Sequence, residues 1–95
     1  LLLGDESEEV RRSIINTIIE LIKNVGLSKL LNILLKNLSD SGSLLTQQSI
    51  AIILGRTAKY EEETIKKRII ALLKVRCEMS QDPIICENLT KLKEH

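Results

Sequence analysis

The side chains that could carry catalysis are few and poorly placed for it. The chain has one histidine, His95, at its last position, and two cysteines, Cys77 and Cys86, nine positions apart. A nucleophilic serine or cysteine needs a base, commonly histidine, held at hydrogen-bond distance, and a chain end frays. A zinc site needs a closely spaced ligand set that these residues do not supply. We therefore expect a protein that is not an enzyme and that has neither a metal nor another cofactor.

The carboxylates cluster where helices are expected to begin. Glu8 and Glu9, and the run 61–63, each precede an apolar periodic segment. Acidic side chains there complement the positive end of the helix dipole, so we interpret them as solvated helix-start charges. The four glycines are scattered along the chain and form no phosphate-binding loop.

The cysteine spacing matches neither a metal motif nor a redox motif. We interpret Cys77 and Cys86 as small, buried hydrophobic side chains in a reducing compartment. No apolar run approaches the roughly 18 residues of a membrane span, and no signal segment opens the chain. The sequence therefore predicts an intracellular protein, cytoplasmic or nuclear, that does not enter a membrane.

Composition favours one small helical domain over residues 1–95. The chain has 95 residues, of which 43% are hydrophobic and 28% charged, and its formal net charge is +1. This balance gives no general attraction to nucleic acid. With one tyrosine, no tryptophan and no phenylalanine, base stacking on aromatic side chains is nearly excluded.

Apolar residues three and four positions apart predict helices along nearly the whole chain. Gly26 is expected to end the first helix, Ser43 to cap the third, and Asp82 to cap a fifth that has Pro83 at its first position. The predicted helices run from the acidic start after Gly4 to Gly26, from Leu27 to Leu38, from about Leu44 to Ala58, from the glutamates 61–63 onward, and from Pro83 onward. This pattern predicts an all-α fold of about five short antiparallel helices.

The chain also aligns with itself at a shift of 35 residues. Val10 then falls on Leu45 and Ile15 on Ile50, and further apolar positions stay in register. Segment 2–12, with an acidic turn before a Val-Arg pair, resembles a helix junction of the HEAT/armadillo repeats, and segment 51–58 resembles the tail of their second helix. This resemblance implies a right-handed α-solenoid fragment whose units are 1–25, 27–58 and a degenerate 61–95. A closed five-helix bundle remains the alternative.

The resemblance implies a non-catalytic scaffold for protein–protein interaction. Second helices of stacked repeats line a concave surface, and the basic residues suit a partner that is acidic. The expected contact residues are Arg12, Gln47, Gln48, Arg56, Lys59 and Lys66. The apolar segment 1–3 looks like the exposed end of an array, which predicts self-association or contact with neighbouring repeats of a longer chain.

Residues 45–69 support a second hypothesis, a helix-turn-helix-like DNA-binding regulator. Ala51 and Gly55 suit the packing and turn of that motif, and the following helix is basic. Its candidate phosphate contacts are Lys66, Lys67, Arg68 and Lys74. Against it, the spacing after Gly55 puts Glu61 where a buried aliphatic residue is needed, and glutamates 61–63 would face phosphates. We therefore do not expect nucleic acid as a partner.

Overall fold

The helices of the chain lie close to their predicted positions. The computed structural model describes residues 3–94, and these contain helices and turns but no strand. The helices are α1 (Glu8–Val25), a short 3-10 helix (Leu27–Lys29), α2 (Leu31–Asp40), α3 (Leu44–Thr57), α4 (Glu63–Ser80) and α5 (Pro83–Lys93). The predicted all-α fold class is confirmed.

Three predicted helix signals act as expected. Gly26 ends α1 with φ of 92°, a conformation that favours glycine. The Ser43 hydroxyl accepts a hydrogen bond from the Thr46 amide at 3.2 Å, which caps α3. The Asp82 carboxylate accepts from the amides of Ile84 and Ile85, both at 3.0 Å, at the start of α5. Each signal satisfies backbone groups that would otherwise lack partners at a helix end.

Helix α3 lies at the centre of the packing. It contacts α1, α2, α4 and α5, while α5 also packs on α4, and α2 on α4. The central position follows from its sequence, because Ile50, Ala51, Ile53 and Leu54 are all fully buried. The buried residues of α3 surround most of the helix and are not confined to one face.

The segment before α1 is fixed to α3. Leu3 is only 1% exposed, and the buried Ser49 hydroxyl lies 2.7 Å from the Leu3 carbonyl oxygen and 2.9 Å from that of Leu45. Leu3 therefore belongs to the core, whereas the sequence predicted it within an exposed apolar end. The other two residues of that predicted end, Leu1 and Leu2, lie outside the described residues, as does His95.

The interpretation of the cysteines is wrong. Cys77 near the end of α4 and Cys86 in α5 form a disulfide, with their Cα atoms 5.0 Å apart, and both residues are half-buried. Between them the chain reverses direction at Gln81, whose φ of 54° lies in the left-handed region. This corner brings the two cysteines together although their spacing matches no motif. The disulfide holds α5 against α4.

Candidate functional site: an arginine-lined cleft

A cleft of about 240 Å³ lies where α1, α3 and α5 meet. It is lined by Glu8, Arg11, Arg12, Ile15, Asn16, Gln48, Ser49, Ile52, Arg56 and Ile84. The spacing of four residues explains the lining, since positions i and i+4 share a helix face: 8, 12 and 16 on α1, and 48, 52 and 56 on α3. Three arginines face a single glutamate here, so the cleft has a positive formal charge.

Arg11 is held in place by the chain that precedes α1. Its Nη1 atom donates to the carbonyl oxygens of Asp5 at 2.6 Å and Glu6 at 3.0 Å. The Asp5 carboxylate in turn accepts from the Ser7 amide at 2.8 Å. Both partners are neutral carbonyl groups, and Arg11 takes part in none of the ion pairs formed within residues 3–94.

Arg12 and Arg56 differ in the interactions that their side chains form. Arg12 forms an ion pair with Glu8 at 2.9 Å, but the two side chains are 67% and 73% exposed, and exposed pairs of this kind contribute little free energy. Arg56 is exposed and makes no hydrogen bond or ion pair with any residue in 3–94. Both guanidinium groups are therefore available to an incoming anion.

Helix α5 orients the polar floor of the cleft. The Gln48 amide nitrogen donates to the buried Asp82 carboxylate at 2.8 Å, and the same carboxylate caps α5. Ile84, the second residue of α5, supplies an apolar wall. The position of Gln48 thus depends on α5 being docked against α3.

The predicted contact residues separate into two groups. Arg12, Gln48 and Arg56 come together in the cleft. Gln47, in contrast, is 7% exposed and its amide donates to the Ser41 carbonyl at 2.8 Å, so it belongs to the packing of the α2–α3 turn. Lys66 is 3% exposed, which is at odds with a role in surface contact. Lys59 lies outside the cleft, beside Tyr60.

The predicted contact residues leave out seven of the ten residues that line the cleft, among them Arg11 and Asn16. Arg11 was noticed only as part of a repeat motif, although it stands four residues before Ile15 on the buried side of α1. Asn16 continues the row of Glu8 and Arg12 at the same spacing. Helical spacing from Arg12 could have identified Asn16, but only the fold shows that this face of α1 meets α3.

The candidate phosphate contacts of the DNA-binding hypothesis lie on α4. Lys67, Arg68 and Lys74 are exposed there, while Lys66 is buried. The connection between α3 and α4 spans residues 58–62, longer than the three or four residues of a helix-turn-helix. None of these basic side chains lines the arginine-lined cleft.

An exposed apolar surface lies between α1 and α2. Leu21 and Ile33 are 44% and 51% exposed and line an apolar cavity of about 230 Å³ together with Ile18, Leu30 and Leu34. Such a surface on a small protein is compatible with association. The predicted self-association or contact with neighbouring repeats stays a prediction.

Comparisons with protein-family models, with curated proteins and with solved structures find no match. Within residues 3–94, no three histidine, cysteine or acidic side chains are grouped as metal ligands. Over the same residues, every helix is too short or too polar to span a bilayer.

Proposed function

We propose that this protein is a non-catalytic protein-binding module that takes an acidic segment of a partner protein in the arginine-lined cleft. The observation that carries the proposal is the convergence of Arg11, Arg12 and Arg56 on one concavity with a single glutamate. Binding would use shape and complementary charge, with no covalent step.

Arginine is suited to this role by its geometry. The planar guanidinium group donates two parallel hydrogen bonds to one carboxylate, and it is more weakly hydrated than a lysine ammonium. Arg56 forms no hydrogen bond or ion pair within residues 3–94 that would have to break, and Arg12 would lose only its exposed ion pair with Glu8. An acidic side chain entering the cleft therefore gains charge-assisted hydrogen bonds at small cost.

The contacts between helices support the proposed solenoid arrangement. Helices α1, α3 and α5 contact one another in that order, as second helices of successive repeats would, and α2 contacts α4, as first helices would. The cleft lies on the α1–α3–α5 side, where a solenoid presents its concave surface. The repeat family itself remains part of the proposal.

A peptide titration tests the proposed function. The probe is a fluorescein-labelled peptide of four glutamates flanked by glycine and serine, and the same peptide with glutamines is the charge control. We expect Arg56→Gln to weaken binding on the order of tenfold, the equivalent of about 1.4 kcal/mol, because one charge-assisted interaction is lost. Arg68→Gln removes the same charge from exposed α4 and should leave affinity nearly unchanged.

Two outcomes would contradict the proposed function. Equal losses from Arg56→Gln and Arg68→Gln would show that only net charge attracts the peptide. Duplex DNA binding more tightly than heparin, with a steep dependence on salt and sensitivity to Arg68→Gln, would favour the α4 surface and the DNA-binding hypothesis.

The disulfide bears on where the protein works. Disulfides persist in oxidising compartments and are rare in the cytosol and nucleus, so the Cys77–Cys86 bond favours an oxidising compartment over the predicted cytoplasmic or nuclear location. Thiol titration of protein isolated without reductant distinguishes the two. An oxidised chain has no reactive thiol, and a reduced chain has both.

A further inference from the structure

A second cavity adjoins the cleft on the other side of Arg56. It has a volume of about 300 Å³ and lies between the carboxyl end of α1 and the connection from α3 to α4. Its lining residues are Ile22, Lys23, Gly26, Leu27, Arg56, Thr57, Tyr60 and Glu61. Because Arg56 lines both cavities, they lie next to each other beside α1, and we call the two together the α1 groove.

The two ends of the α1 groove differ in chemistry. The first end has the three arginines, whereas the second has the buried aliphatic side chains of Ile22 and Leu27. Beside them stands Tyr60, the only aromatic residue of the chain and 81% exposed. Tyrosine is enriched at protein interfaces because its ring offers a large contact area at a low entropic cost.

The second end of the α1 groove also has charged side chains nearby, but they are of both signs. Lys59 Nζ lies 5.4 Å from the centre of the Tyr60 ring, within the range of a cation–π contact. Lys23 is paired with Glu20 at 3.3 Å, and Glu61 also lines this end. An apolar side chain can therefore enter beside Tyr60, while the carboxylates of the same segment stay near Arg56.

We propose that the α1 groove binds a single partner segment that has acidic residues at one end and an apolar anchor residue at the other. This proposal rests on the proposed function and specifies its ligand. Arg12 and Ile22 are ten residues apart on α1, which corresponds to about 15 Å along the helix axis. An extended chain covers that distance in about four to five residues, which sets the spacing between the carboxylates and the anchor.

Two matched peptides test the inference. One carries four glutamates followed after five residues by leucine, and the other has serine in place of that leucine. With the natural protein, leucine should strengthen binding about three- to tenfold, since partial burial of one aliphatic side chain contributes on this order. Tyr60→Ala should abolish that gain and leave the affinity for the serine peptide unchanged. Tyr60→Phe, which keeps the ring, should retain the gain.

The outcomes separate the two proposals. If the serine peptide binds in an Arg56-dependent way but leucine adds nothing, the acidic site stands and the bipartite ligand is refuted. If Tyr60→Ala weakens both peptides equally, Tyr60 does not form an apolar subsite and the inference is again refuted. If neither peptide binds, both the bipartite ligand and the proposed function are refuted. Unfolding midpoints of the Tyr60 variants, measured beside that of the natural protein, control for effects on stability.

Discussion

Replacing Gly55 by alanine tests the packing that holds α5 against α3. Gly55 is buried in α3, and a Cβ atom built there would overlap Asn88 Oδ1 and lie 3.0 Å from Asn88 Cγ. Asn88 cannot easily move aside, since it is 6% exposed and its amide nitrogen donates to the Ile84 carbonyl at 2.9 Å. The extra methyl must therefore either displace the Asn88 side chain from this hydrogen bond or push the two helices apart.

The expected size of the effect combines two opposing contributions. Overpacking a close contact costs about 1–3 kcal/mol, while alanine gains up to about 1 kcal/mol over glycine within a helix. We expect Gly55→Ala to lower the free energy of unfolding by about 1–2 kcal/mol. In a chain of this size, that corresponds to a fall in Tm of roughly 4–16 °C. Thermal and urea unfolding followed by circular dichroism measure both quantities.

Two further variants make this experiment specific. Gly42, in the turn before α3, has no atom within 4 Å of a built Cβ, so Gly42→Ala should change stability by less than about 0.5 kcal/mol. In an Asn88→Ala background the overlapping amide is absent and only the Cβ atom of residue 88, 3.2 Å from the built Cβ, stays close, so most of the loss caused by Gly55→Ala should disappear. A Gly55→Ala protein as stable as the natural one, or a loss that is undiminished without the Asn88 amide, would refute the packing of α5 on α3 described above.

Two more predictions concern the corner between α4 and α5. Reducing the Cys77–Cys86 disulfide, which spans nine residues, should lower the free energy of unfolding by about 2.6 kcal/mol through loop entropy; urea unfolding with and without a phosphine reductant measures this, and unchanged stability contradicts it. Asp82→Ala removes the cap of α5 and the Gln48 bond and should cost about 1–2 kcal/mol. Asp40→Ala, at an exposed helix end, is the control and should cost nothing.

Helix boundaries could be predicted from the sequence because their causes are local. Ser43 and Asp82 cap helices through amides two or three residues away, and Gly26 ends α1 through its own backbone conformation. Interactions of this range act within any fold that contains the segment. Helix α4 begins at Glu63, two residues after the predicted start at Glu61. Acidic residues are favourable both just before a helix and in its first turn, so they do not fix its first residue.

Burial of polar side chains could not be predicted, because it depends on which helices meet. Gln47 and Gln48 are neighbours and both were expected to face outward, yet α2 and its turn cover Gln47 while Gln48 opens to the cleft. Lys66 is covered for the same reason. The disulfide is also a tertiary feature: Cys77 and Cys86 meet because Gln81 and Asp82 reverse the chain.

Concavity distinguishes the cleft from the other basic surface of the protein. Lys67, Arg68 and Lys74 project from α4 alone, where solvent surrounds each charge and screens it from a ligand. In the cleft, α1 and α3 supply arginines to one depression whose wall includes Ile15, Ile52 and Ile84. An anion there meets several guanidinium groups at once beside apolar surface that excludes part of the water, so each interaction is stronger than on an open helix. For this reason the position of Arg56 between two cavities says more about where an anion binds than the small excess of basic residues in the sequence does.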